Sequence, residues 1–223
     1  MRIATWNVNS IGARLPRLLP WLEETAPDVV ALQETKCADA AFPYADLAAL
    51  GYEAAHAGDG RWNGVAVLSR VGLADVDLVH EGHPEPRLAS AQCGPLHVTS
   101  VYVPNGRSLD DPHYAYKLDW FATLRERLER SDLSRPLVVM GDFNVTLTDD
   151  DVWDISTFQD STHVSQPERD AMQALLDTGL EVTEARPGKG DVAFTFWDYR
   201  AGMMHKNLGM KIDFILRTPS VTV

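Results

Sequence analysis

Short apolar runs and helical stripes alternate along the whole chain, and most of the runs end abruptly in a polar side chain. Ile3 to Asn7 has the length of a strand, and from Arg14 to Thr25 the residues Leu15, Leu18, Leu19 and Leu22 recur at helical spacing until Pro27-Asp28 stops the helix. Val29 to Gln33 is apolar almost throughout, which predicts a strand buried on both faces. Further strands are predicted over residues 64–69, 88–92 and 96–103, where Val98, Ser100 and Tyr102 alternate with Thr99, Val101 and Val103. Asp110-Asp111-Pro112 opens a helix whose stripe is Tyr114, Leu118, Phe121, Leu124 and Leu128. Residues 136–140 form another strand, residues 167–178 a helix closed by Gly179, and residues 193–197 and 212–216 two more strands. Strands and helices mixed in this way, with many runs apolar on both faces, imply an α/β fold of two mixed β-sheets packed on each other and flanked by helices. No repeat, low-complexity tract or linker divides residues 1–223, so a single domain is expected.

Polar residues gather where the strands end. Asn7 and Asn9, Glu34, Asp142 and Asn144, and Asp213 each sit at or just beyond an apolar run. Any one of them alone would be read as a turn residue. Together, at converging strand ends, they are how a sheet scaffold assembles a metal site. Oxygen donors without neighbouring His or Cys select Mg²⁺ or Mn²⁺ over zinc, and Mg²⁺ takes only one or two carboxylates while keeping several waters. Glu34 is the first choice of ligand.

The formal net charge of -12 speaks against a protein that grips nucleic acid mainly through counterion release. It is compatible with a nuclease, because acidic side chains also hold divalent cations that reverse the local field where phosphate sits. No stretch approaches the roughly 20 apolar residues of a membrane span, and the N-terminus lacks a signal-peptide pattern, so a soluble cytoplasmic protein is expected. Cys37 and Cys93 have no CxxC spacing and are expected to be free thiols. Asp149-Asp150-Asp151 fails the calcium-loop pattern and is expected to be a solvated loop.

Five ordered motifs carry a family resemblance: Trp6-Asn7-Val8-Asn9, Leu32-Gln33-Glu34-Thr35-Lys36, Tyr102-Val103-Pro104-Asn105-Gly106, Gly141-Asp142-Phe143-Asn144 and Lys211-Ile212-Asp213. With Phe42-Pro43, Leu50-Gly51-Tyr52, Gly64-Val65-Ala66 and Phe196-Trp197-Asp198-Tyr199-Arg200, the chain resembles over its whole length the bacterial type of the exonuclease III family of abasic-site endonucleases, within the endonuclease/exonuclease/phosphatase superfamily. The resemblance implies a four-layer α/β sandwich. It also implies Mg²⁺-dependent hydrolysis 5′ of abasic sites, with Mn²⁺ as the alternative ion, and 3′-to-5′ exonuclease and 3′-phosphatase trimming. The implied partner is double-stranded DNA with abasic sites or 3′-blocked ends, acted on by a monomer away from membranes.

Mapped onto this chain, the resemblance gives Asn7, Glu34, Asp142 and Asn144 to the metal, and Tyr102, Asp142, Asn144 and Asp213 to catalysis. Asp142 would orient and deprotonate the attacking water, Asn144 would donate to non-bridging phosphate oxygens, and Tyr102 would act at the same phosphate or the leaving oxygen. Asn105 falls in the loop where DNA is contacted, and Phe196, Met210 and Ile212 where the abasic sugar pocket is built. Apart from the resemblance, Arg14, Arg17, Arg107, Arg200, Lys206 and Lys211 form a candidate basic rim for phosphates, with Arg107 and Arg200 preferred because scattered surface cations usually only solvate a face.

Three departures stand out. Asn9 occupies a position where relatives carry Asp, Met210 one where some relatives carry an aromatic, and the family's late Ser-Asp-His segment is not found. The expectation is therefore a domain lacking its last C-terminal strand or strands in the sequence given, with neither His163 nor His205 nominated as a substitute. The competing readings are a superfamily phosphodiesterase acting on a non-DNA substrate and a catalytically impaired DNA-binding module.

Overall fold

A computed structural model describes residues 1–188 and 190–223. In chain order its elements are β1 (Ile3–Asn7), α1 (Ile11–Thr25), β2 (Val29–Gln33), α2 (Tyr44–Ala49), β3 (Glu53–Ala57), β4 (Val65–Ser69), β5 (Ala74–Asp77), β6 (Leu88–Cys93), β7 (Leu96–Tyr102), α3 (Pro112–Glu129), β8 (Leu137–Asp142), α4 (Gln166–Leu176), β9 (Glu181–Val182), α5 (Met203–Lys206) and β10 (Asp213–Arg217), joined in places by 3₁₀ turns. The strands make two mixed sheets, of four and six strands, with helices flanking them, which is the fold class the sequence implies. The chain is organised as two compact units, residues 1–102 with 134–142 and residues 103–133 with 143–223.

The first unit contains the four-stranded sheet, ordered β1-β2-β4-β3, and the strands ordered β5-β6-β7-β8. β1 runs parallel to β2 with Asn7 opposite Gln33, and β7 runs parallel to β8 with Tyr102 opposite Asp142. Both parallel pairs thus deliver polar residues to a common strand end. The sheets pack face to face, β2 and β4 against β6 and β7, and β2 is buried on both faces as its uninterrupted apolar run requires. Gln33 is the polar exception. It is fully buried, its Nε2 donates to Ser100 Oγ across the sheets (3.0 Å), and its Oε1 accepts from Thr5 Oγ1 (3.2 Å). Leaving such an amide unpaired would cost about 1–3 kcal/mol, so these bonds fix the strand end one residue before Glu34.

Helix α1 lays Ile11, Leu18 and Leu22 against Val30, Leu32, Leu47, Tyr52 and Leu68. It begins at Ile11, three residues before the expected start at Arg14, where Ser10 Oγ accepts from the Ala13 amide. Pro16 and Pro20 lie inside it and remove two helical donors. Gly12 and Pro16, whose carbonyls lose those donors, are solvent-exposed residues, where a lost helical bond costs less than in the core.

In the second unit α3 packs on α4, and β10 pairs antiparallel with β9. Asp111 caps α3 by accepting from the His113 amide (2.8 Å), with Pro112 in the first turn where its missing N–H costs nothing. Ser165 and Glu168 form a reciprocal capping box on α4. Trp120, Phe121, Leu124 and Leu128 of α3 are buried, and so, in the same stripe, is Lys117.

Two expectations are corrected. Residues 193–197 form no strand: only Phe196 makes an isolated bridge, to Met210. The Thr195 and Phe196 amides both donate to the Met210 carbonyl, and Thr195 Oγ1 accepts from the Ile212 and Asp213 amides, so a side chain takes over the role of the ladder and the segment turns. Nor is residues 149–151 a solvated loop throughout, because Asp151 is buried and its Oδ2 accepts from the Leu147 and Thr148 amides (3.0 and 2.9 Å).

Candidate active site

In the first unit, Asn7 at the end of β1 is the hub. Its Nδ2 donates to Glu34 Oε1 (2.7 Å) and to Asp142 Oδ2 (2.9 Å), so two carboxylates meet at one amide. The amide is itself oriented, because Asn7 Oδ1 accepts from the Asn9 N–H (3.0 Å). Lys36 closes the other side, donating to Glu34 Oε2 (2.7 Å) and to Asn9 Oδ1 (2.5 Å). Asn9 therefore holds Lys36 rather than standing beside the carboxylates as a third acid.

The backbone is bent to make this possible. Glu34 and Lys36 adopt left-handed conformations with φ of 52° and 50°, which L residues with a Cβ populate at a cost. The turn throws the Glu34 side chain off the end of β2. Gly141 has a different reason: a Cβ there would sit 2.0 Å from the Val101 carbonyl oxygen of the neighbouring strand, so glycine is what lets β8 carry Asp142 alongside β7.

Tyr102 ends β7. Its phenol is pushed well above the usual tyrosine range, first by burial and then by the Glu34 and Asp142 carboxylates and a hydrogen bond to Glu34, with the Arg87 guanidinium opposing. It remains a protonated donor in neutral solution. Arg87 lies 4.6 Å from the Tyr102 ring centre and donates to the Tyr102 carbonyl (3.3 Å), which anchors the residue from behind.

The second unit carries a different set. Asn144, at φ 50°, donates from Nδ2 to the Val103 carbonyl (2.9 Å), and its Oδ1 faces Asn105 Nδ2 (3.4 Å) and His163 Nε2 (3.1 Å). The Arg107 amide donates to Asn105 Oδ1 (3.1 Å), which fixes that carboxamide with its NH₂ towards Asn144 and His163. His163 is half-buried, and the loss of solvation together with the Lys117 cation holds its imidazole down at about 4, so it is neutral at physiological pH. Beneath both asparagines, Lys117 Nζ donates to the main-chain oxygens of Asn105 (3.3 Å) and Asn144 (2.6 Å).

Phe196, Met210 and Ile212 are brought together, Phe196 paired with Met210 through reciprocal 2.9 Å backbone bonds, and Met210 and Ile212 clustered with Val152, Phe158 and Val164. Phe196 is 40% exposed, so an apolar face remains open to solvent there. Asp213 opens β10, its amide held by Thr195 Oγ1 (3.1 Å). Arg107 is largely exposed and 3.7 Å from Asp111, whereas Arg200 is clamped by Asp198 through bonds of 2.6–3.1 Å. That clamp holds the Asp198 carboxyl down at about 2. Lys211 packs over Phe214 and near Asp151, away from the role of a free rim cation.

Sequence reasoning passed over Lys36, Lys117, Glu168 and His163 as working residues. Lys117 had a signal, since it falls within the apolar stripe of α3, and Glu168 had one in the Ser-x-x-Glu spacing. His163 had none, because its loop has no periodicity.

Glu34, Asp142 and the Asn7 amide offer hard oxygen donors at one strand end, a set suited to a divalent cation of the Mg²⁺ kind and poorly suited to zinc. Among the described residues there is no group of three or more His, Cys, Asp or Glu that would form a denser cage. Of the four residues assigned to a metal from sequence, Asn144 has its side-chain oxygen directed at Asn105 and His163.

Comparison with known proteins gives a consistent picture. Residues 4–223 match the model of the Endonuclease/Exonuclease/phosphatase family. The chain is 32% identical to exodeoxyribonuclease III of Haemophilus influenzae, over 97% of this chain and 87% of that protein. It is 28% identical to an exodeoxyribonuclease of Bacillus subtilis, over 99% and 89%. Among solved structures, a Neisseria 3′ phosphatase bound to a product DNA hairpin superposes with a TM-score of 0.94 at 36% identity, covering 99% of this chain and 87% of that one. An AP endonuclease from Archaeoglobus fulgidus superposes with a TM-score of 0.91 at 34% identity and the same coverage.

Proposed function

Because this chain belongs to the endonuclease/exonuclease/phosphatase family, we propose that it is a DNA-repair phosphodiesterase of the exodeoxyribonuclease III type, which hydrolyses the backbone of duplex DNA 5′ of abasic sites and trims blocked 3′ ends. The observation that carries the reading is the meeting of Glu34 and Asp142 at the single Asn7 amide. Similarity to relatives named for exodeoxyribonuclease and AP endonuclease activity supports DNA as the substrate. We place the enzyme in the cytoplasm as a monomer. No helix among the described residues is long and apolar enough to cross a membrane.

Glu34, with Asn7 and Asp142 beside it, is the group that would hold Mg²⁺, or Mn²⁺ in its place. The bound cation would supply charge neutralisation at the phosphate. Asp142 accepts a proton from the attacking water, whose oxygen forms the new bond to phosphorus on the side opposite the leaving O3′. The P–O3′ bond breaks, O3′ departs and takes up a proton, and the products are a 3′-hydroxyl and a 5′-phosphate on the abasic sugar. Tyr102, kept protonated by its burial and its acidic neighbours, donates a hydrogen bond as charge builds. The carboxamides of Asn144 and Asn105 are neutral and do not repel the phosphate. Phe196, Met210 and Ile212 provide the apolar wall against which a sugar without its base would pack, with Asp213, Arg107 and Arg200 on the flanking chain.

A second reading is favoured by one observation, the similarity to a structure named as a 3′ phosphatase. The same groups acting on a 3′-terminal phosphate would release inorganic phosphate instead of cutting within the strand. The test is a duplex with one abasic site beside a duplex with a 3′-phosphate, each with Mg²⁺ or chelator, using the protein and its Asp142→Ala variant. Mg²⁺-dependent incision 5′ of the lesion, lost in the variant, supports the first reading. Phosphate release without incision moves the assignment to the second, and turnover of neither, with inositol phosphates cleaved instead, overturns both.

A further inference from the structure

Lys117 and Glu168 form a fully buried ion pair in the second unit, with 2.5 Å between Nζ and Oε1 and no exposed side-chain surface on either partner. Desolvating two charges is costly, and a pair of apolar residues of similar volume would often serve a fold as well. The pair therefore calls for an explanation beyond packing, and its remaining bonds supply one. Besides Glu168, Lys117 Nζ donates to two main-chain oxygens, those of Asn105 (3.3 Å) and Asn144 (2.6 Å). Glu168 is in turn pinned by Ser165, whose Oγ (2.6 Å) and N–H (3.2 Å) donate to Oε2, and Ser165 Oγ bonds the Tyr114 hydroxyl of α3 at 2.6 Å.

The result is a rigid track from α3 and α4 to two loops. Gly106 shows how closely the lysine passes beneath the first: a Cβ there would lie 3.2 Å from Lys117 Cδ and 3.3 Å from Thr162 Cγ2, at a φ of 90°. Each loop holds a residue in the left-handed region, Asn144 at φ 50° in one and Arg107 at φ 60° in the other. A charged donor that reaches both carbonyls offsets the cost of those conformations and sets the separation of the two side chains.

We propose that the buried Lys117–Glu168 pair is a positioning device for the reaction, fixing the loops of Asn105 and Asn144 through their main-chain carbonyls so that the linked side chains of Asn105, Asn144 and His163 keep one arrangement. Lys117 touches neither substrate nor reacting atoms. The inference rests on the role given above to Asn105 and Asn144, and its test separates the two.

The decisive comparison is Lys117→Met alone against Lys117→Met/Glu168→Gln. The single variant strands a buried carboxylate and loses both thermal stability and activity. The double variant leaves no buried charge and keeps the capping box, since Gln also serves at that position. Its melting temperature is expected to return to near that of the native protein, while kcat on the abasic duplex stays about 10- to 100-fold low with KM little changed, the penalty of misplaced groups. If kcat recovers together with stability, the pair is merely structural and the proposal is overturned.

Amide hydrogen exchange in residues 105–107 and 144–146 supplies the readout that does not depend on substrate. Faster exchange there in the stable double variant supports the clamp even if the native protein cuts no abasic DNA, an outcome that would discredit the substrate and not the device. Unchanged exchange overturns it. Should the double variant not fold, Lys117→Arg, which keeps the cation but spreads its donors differently, carries the same two readouts with the same meaning.

Discussion

In the first unit the carboxylates of Glu34 and Asp142 are tied by their own side chains, through the Asn7 amide and the Lys36 ammonium. In the second, the carboxamides of Asn105 and Asn144 bond each other, His163 and nearby backbone, while a lysine that never reaches the surface holds the main-chain carbonyls of the same two residues. The contrast follows from charge. Two acids near one another repel, so a donor must stand between them while leaving lone pairs for a cation and a water. Neutral amides need no such compensation: Asn105 donates to Asn144, Asn144 donates to the Val103 carbonyl, and the main-chain anchoring fixes where the pair sits.

The sharpest way to break this comparison is to remove Asp142. Asp142→Asn keeps size and the neighbourhood of Asn7 but cannot take a proton, and kcat for abasic-site incision is expected to fall by about 10²- to 10⁴-fold in single-turnover assays. Retention of more than a tenth of the activity would move the base elsewhere. Next comes the amide side: Asn144→Ala is expected to cost about 10²- to 10³-fold in kcat with the Mg²⁺ requirement unchanged. A large increase in the Mg²⁺ needed for half-maximal rate would place Asn144 with the carboxylates after all, as its sequence motif implies. Glu34→Gln gives the converse signature, a rate that recovers towards the native value only as Mg²⁺ is raised.

Tyr102→Phe has a smaller effect. It removes one buried hydrogen bond of about 1–3 kcal/mol, so a loss of about 5- to 150-fold in kcat is expected, with an intact fold by circular dichroism. The smallest effect concerns Arg200, whose bonds to Asp198 are exposed. Asp198 has a lowered folded pKa, so any stability it contributes is present above the unfolded value near 4 and is lost as pH falls towards about 2. Arg200→Ala should raise the Asp198 titration seen by NMR towards the ordinary range while leaving thermal stability at pH 7 unchanged. A clear drop at pH 7 would mean Arg200 supports more than this exposed clamp.

How much of this was legible in the sequence depends on how each part is built. Asn7, Glu34 and Asp142 stand where apolar runs stop, and run length alone placed them at strand ends. β3 went unread because Glu53-Ala-Ala-His-Ala57 has small side chains and no clear alternation, its pairing being imposed by β4. Residues 193–197 looked like a strand because their composition suits one, while the hydroxyl that diverts the ladder, Thr195, carries no sequence signature of that use. The joining of Asn7 to two acids, one 27 and the other 135 residues away, is a property of the sheet and appears in no local window. His163 reaches Asn144 from a loop for the same reason.

The left-handed turn at Glu34 sets folding and chemistry against each other at a single codon. The conformation is one that glycine adopts freely, so Glu34→Gly would relieve the backbone in the very step that deletes the carboxylate. A population of variants screened only for heat resistance would drift towards inert, sturdier proteins at this position, and a screen that scores turnover would pull it back. Robustness and activity here are rival selections acting on one residue, and the glutamate records which of them prevailed.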